Sequence, residues 1–176
     1  MSFTVKVKQI LIIGCVGLMI DIPFAGFGQS WREVSDTLGT SHLAAPVRER
    51  IYQKLEEELE SVDGLTRSVL DRFPLRMIML SPDGKTGVGI SGTNMYGPPL
   101  ICGATGNCDI WVFDKKTGDL LLSANGFNLL VQKSVHHGLF DIVTSHNMSA
   151  GSGVRDLYQF DGHEYQNVQE TNETYQ

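Results

Sequence analysis

The sequence predicts an α+β fold: an antiparallel meander sheet of about eight strands, curled, with one main amphipathic helix packed on it. Three observations lead there. Residues 44–62 carry the one clear helical period in the chain. From residue 74 onward, apolar runs of strand length follow one another. The turns between those runs are short, so neighbouring strands must run antiparallel.

The N-terminus reads as a leader. MSFTVKVKQ carries Lys6 and Lys8 and no acid, and ILIIGCVGLMI (10–20) is uncharged and apolar. Asp21 and Pro23 end that run, and the small residues of AGFGQS follow. This is the plan of a secretory signal peptide, with a cut expected after Gly28, or alternatively after Ala25. A membrane span needs about 20 apolar residues, roughly twice what this run offers. The string IIGC gives an alternative, a lipoprotein anchored at Cys15. Its apolar stretch before the cysteine is short for that purpose.

Residues 29–43 are a polar lead-in. In AAPVRERIYQKLEEELESV (44–62), Val47, Ile51, Leu55, Leu59 and Val62 form a stripe on one helical face. Pro46 suits the first turn, and Asp63-Gly64 supplies a stop. The acidic run EEELE (56–60) reads as the solvated face.

Residues 75–80 (LRMIML) read as a strand, SPDGK as a turn and 86–91 as the returning strand. YGPPL (96–100) is a loop. Then come DIWVF, DKKTG, DLLLSA, NG and FNLLVQK, so Asn125-Gly126 predicts a two-residue type I′ hairpin. LFDIVTSH (139–146) follows HHG, and GVRDLYQF pairs with HEYQNV across Asp161-Gly162. One sheet face should hold Ile110, Val112, Phe127, Leu129, Val131, Phe140, Ile142, Tyr158 and Phe160. The end, QETNETYQ, has nothing to bury. The chain thus divides into a signal peptide (1–28), a single α+β domain (29–168) and a disordered tail (169–176).

The chain holds 14 basic and 20 acidic residues. Removing residues 1–28 takes away Lys6, Lys8 and Asp21, leaving 12 basic and 19 acidic residues and a net charge of −7. With no basic cluster along the sequence, nucleic acid and anionic membranes are excluded as partners. The mature chain has no transmembrane span.

Removal of Cys15 leaves Cys102 and Cys108, in CGATGNC. Structural zinc wants four ligands and a closer pair. A thioredoxin-type couple wants C-x-x-C at a helix start. An oxidising compartment makes this pair a disulfide.

GVGISG (87–92) is a literal G-x-G-x-x-G, but it lies inside a hairpin strand and TNMYGPP cannot start a helix. Nucleotide binding therefore fails on context, and no cofactor is expected. DKKTGD (114–119) lacks the order of a calcium loop. Asn147 and Asn172 begin glycosylation sequons. The stretch 134–149 is the richest in polar chemistry, with His136, His137, Asp141, Ser145 and His146. With His163 these could bind metal or run acid–base catalysis. Strand alternation puts Asp141 and Ser145 on one face and His146 on the other, so a relay needs a partner from elsewhere.

CG-x-x-GNC-x-IW, HG-x-x-DIVT and Y-x-FDG-x-x-Y, between Cys102 and Tyr165, are similar to the C-terminal module of small uncharacterised exported bacterial proteins. The resemblance implies an extracytoplasmic bacterial setting, periplasmic or secreted, and supports the disulfide. It transfers no catalytic residue. The expected function is that of an exported binding or interaction module for a protein, glycan or small ligand, such as an envelope protein-binding or inhibitor-like domain. The competing expectations are a hydrolase or metal-dependent enzyme built on His136, His137, Asp141, His146 and His163, and a structural envelope component.

Overall fold

A computed structural model describes residues 36–93 and 101–174. The segment expected to be a leader, with Cys15, and also Trp31 and the expected YGPPL loop lie outside them. Two helices come first, α1 (Ala45–Glu58) and α2 (Arg67–Leu70). Four strands follow: β1 (Leu75–Met79), β2 (Thr86–Ser91), β3 (Cys108–Asp114) and β4 (Leu120–Gly126). Four more complete the chain: β5 (Asn128–His136), β6 (Leu139–Ser149), β7 (Ser152–Phe160) and β8 (Tyr165–Thr174).

Every strand pair is antiparallel, but the strands form two sheets, β1-β2-β3-β4 and β5-β6-β7-β8. This corrects the single curled meander, and the reason lies at Asn125-Gly126. These residues make no hairpin. They stay in β4, opposite Asp109 and Cys108 of β3, and Gly126 keeps a negative φ. The chain then crosses directly into β5. A Cβ on Gly126 would sit 2.6 Å from the Ser145 carbonyl oxygen. Glycine is needed there because two backbones meet, not because the chain turns back.

The first sheet is the middle layer. Alternation along β3 splits its side chains between two cores. Ile110 and Val112 face the second sheet, with Ile78, Leu80, Leu129, Ile142, Tyr158, Phe160 and Tyr165. Trp111 and Phe113 face the helices, with Ile51, Leu55, Leu59, Leu70, Phe73, Val88 and Ile90. The Phe73 and Trp111 rings stack with centroids 6.0 Å apart. Of the nine residues expected on one face, six lie in the inter-sheet core and Val131 packs on it; Phe140 is half-buried outside that core and Phe127 is exposed.

The helix expected over 44–62 ends at Glu58. Its stripe continues past that point: Leu59 N still bonds to Leu55 O, Val62 N bonds three residues back to Leu59 O, and these turns hold Leu59 and Val62 over the same core. The exposed Arg67 of α2 pairs with Glu49 and Glu56 of α1 and lies over the Tyr52 ring. Burial, with the hydrogen bond Tyr52 donates to Asp71, pushes that phenol up to about 12.

Residues 169–174, expected within a disordered tail, continue β8 in register with β7. Hydrophobic patterning is blind to such a segment. Its side chains bury almost nothing, and its order comes from backbone pairing on one edge.

Candidate functional site

The polar stretch around β6 resolves into two separate pairs. Asp141 is 1% exposed and holds two partners. Its Oδ1 is 2.7 Å from His136 Nδ1, and its Oδ2 accepts the Ser134 hydroxyl at 2.5 Å. With its proton on Nδ1, His136 keeps Nε2 as its basic nitrogen. The arrangement is half a hydrolytic relay. Ser134 hangs on the carboxylate, so it has no base of its own and is not an activated nucleophile.

His146 lies on the opposite face, as the alternation requires. Its Nδ1 is 3.2 Å from Asp156 Oδ2, while Asn167 Nδ2 donates to Asp156 Oδ1 at 3.1 Å. Burial, with the Asp156 charge adding to it, pushes the adjacent Tyr158 phenol up. His137 occupies the β5–β6 turn with φ of 46°. His163 sits in the β7–β8 turn, where its backbone N–H caps Asp161. The five residues proposed as one cluster are therefore divided among two Asp-His pairs and two turns. Among the described residues no three His, Cys, Asp or Glu side chains come together as a metal set.

Cys102 and Cys108 stand at disulfide distance, with Cα atoms 4.0 Å apart. Gly106, at φ of 78°, turns the ring between them. The ring carries Asn107 to the second sheet. Asn107 Nδ2 donates to the Asn147 carbonyl and Asn107 Oδ1 accepts from the Asn147 N–H, both at 2.8 Å. One side-chain amide thus mimics a strand neighbour for β6. The disulfide fits an exported protein, and among the described residues no helix is long and apolar enough to cross a membrane.

The open ends of β1–β2 and β3–β4 form a cleft of about 620 Å³ lined by Asp83, Gly84, Lys85, Thr86, Asp114, Lys115 and Lys116. The lysines come from two turns about thirty residues apart, which is why no basic cluster shows along the sequence. Lys115 N donates to Thr86 O at 3.3 Å, tying the turns together. Asp114 Oδ2 pairs with Lys85 Nζ at 2.9 Å. Asp114 Oδ1 accepts from the backbone of Lys116 and Thr117. Burial works to raise the Asp114 carboxyl, but these donors outweigh it and hold it below the ordinary carboxylate range.

Comparison with family models, curated proteins and solved structures found no match for this chain. The geometry therefore stands on its own. The G-x-G-x-x-G stretch is the β2 strand, paired on both sides. The space of a Cβ on Gly87 is taken by the Leu80 side chain at 2.5 Å.

Proposed function

We propose that this chain is an exported binding module that recruits a partner protein through the free edge of its second sheet. The observation that carries the reading is β8. It is an outer strand ten residues long, paired among the described residues with β7 alone, and eight of its residues are exposed. After the bulge at Leu157/Tyr158, Gln169–Thr174 runs in unbroken register. On its open side such a strand presents alternate N–H and C=O groups that an incoming extended segment can satisfy.

Charge selects the occupant. Residues 161–174 contain Asp161, Glu164, Glu170 and Glu173 and no lysine or arginine. A second copy set edge to edge would bring glutamates together, which is unfavourable. An extended basic segment fits instead, such as a loop of an envelope enzyme that the module would inhibit or hold.

An eight-residue peptide alternating lysine and valine is the probe. Its amide shifts should map to Gln169–Thr174, and the glutamate–valine counterpart should not bind. Glu170→Lys should weaken binding about fivefold, the scale of one surface ion pair. Equal binding of both peptides, or shifts on another element, would refute the edge.

One observation favours a second reading, hydrolysis with His136 as general base. Ester hydrolysis by the purified protein that falls in His136→Ala would establish it.

A further inference from the structure

We propose that the lysine cleft at the turn end of the first sheet is a binding site for an oxyanion-bearing ligand. The ligand group is a carboxylate, sulfate or phosphate. This goes beyond the edge-strand reading and rests on different residues.

The argument starts from what the charges in the cleft already do. Three lysines and two aspartates line it, in a chain whose net charge is −6. Both acids are spoken for. Asp114 accepts from Lys85 Nζ and from two backbone N–H groups. Asp83 accepts the Ser81 hydroxyl, and that bond, against some desolvation, holds its carboxyl low. Lys85 is used by Asp114. Among the described residues, Lys115 and Lys116 meet no carboxylate within ion-pair distance. The cleft therefore has two ammonium groups left over, and no acid left to neutralise them.

The walls are fixed before any ligand arrives. Gly118, at φ of 76°, lets the β3–β4 turn lie against α1; a Cβ there would be 3.0 Å from the Val47 carbonyl oxygen. Asp119 beside it pairs with Arg50 of α1. In the facing turn, Lys85 N donates to Ser81 Oγ at 2.9 Å and Leu80 N to Lys85 O at 2.8 Å. With the turn backbones held, the ordering cost on binding falls on the lysine side chains alone. Its volume suits a sugar-sized group. Lysines act there as point charges on an oxyanion. Two sources share this chemistry, a free inorganic oxyanion and the acidic groups of a polymer.

The test titrates the purified protein, at low salt, with inorganic phosphate, sulfate and a short oligogalacturonate. Saturable amide shifts are expected at Gly84–Thr86 and Lys115–Thr117, weakening as salt is added. Saturation by the oligogalacturonate alone assigns the ligand to acidic polymers; saturation by phosphate or sulfate assigns it to free oxyanions. Both outcomes support the site. In Lys115→Gln/Lys116→Gln, affinity should fall about tenfold or more, the equivalent of about 1.4 kcal/mol. An unchanged melting temperature shows that this variant is folded. Lys54→Gln, which removes an exposed lysine paired with Glu57 on α1, is the control and should change affinity less than about twofold. The lysine–valine peptide should bind the double variant as before, which separates this site from the β8 edge. The site is overturned if none of the three anions gives saturable shifts there. An equal loss in Lys54→Gln would also overturn it, because general attraction would then explain the binding.

Discussion

Asn107 joins the two sheets with a single amide. Asn107→Ala removes two hydrogen bonds to Asn147 and leaves that backbone seeking water. It should cost about 1–3 kcal/mol, read as a lower urea midpoint. Asn107→Asp keeps an acceptor for the Asn147 N–H but sets a carboxylate oxygen against the Asn147 carbonyl, so it should cost at least as much as Asn107→Ala. Gly126 is the second sensitive residue. Gly126→Ala places a methyl group against a carbonyl that cannot move without breaking β6, at about 1–3 kcal/mol. The two residues differ in how far they could be read beforehand. Asn107 carries no signal of its own inside the cysteine ring; its partner lies forty residues on, beyond any local pattern. Gly126 was visible as a special glycine. A backbone contact across layers leaves the same mark on a sequence as a tight turn, so its role was misread.

At the level of elements, the cysteine ring matters because it holds Asn107 in place. Cys102→Ser should lower stability by about 2 kcal/mol from the lost loop constraint alone. Its effect should overlap with that of Asn107→Ala, so the double variant should lose less than the sum, measured as a double-mutant cycle. The β3–β4 turn has its own signature in pH. The Asp114 carboxyl titrates below its unfolded value, so its contribution is complete above about pH 4, the unfolded range. That contribution is lost as pH falls through the lowered folded value. Asp114→Asn should therefore flatten the acid limb of melting temperature against pH below about pH 4. Elements with an apolar period were legible: the α1 stripe and all eight strands lie close to where alternation put them. The start of α2 at Arg67 and the second half of β8 were not. One is a single turn set by packing, and the other is ordered by its neighbour's backbone.

Across the molecule, the first sheet serves both cores, one on each face. Neither core can dissolve without exposing the other side of the same strands. Unfolding in urea should therefore be a single transition. In a Trp31→Phe variant, Trp111 fluorescence reports the helix-side core, and far-UV circular dichroism reports the sheets; the two curves should coincide. The layering itself was hidden in the sequence. Alternating strands say that a sheet has two different faces, but not whether the next strand joins that sheet or begins another. The decision was made at one backbone crossing. The lysine cleft was hidden for a related reason, since only the stacking of two turns brings Lys85 near Lys115 and Lys116.

The strand order has a consequence for how such a chain comes into being. Within either sheet, each strand's neighbour is also the next strand along the chain. A polypeptide threading out end-first meets the mate of every strand as soon as the following one emerges. The leading half can pair its strands and close its sulfur bridge before the trailing half arrives to cover its second face, and no strand has to wait for a distant mate.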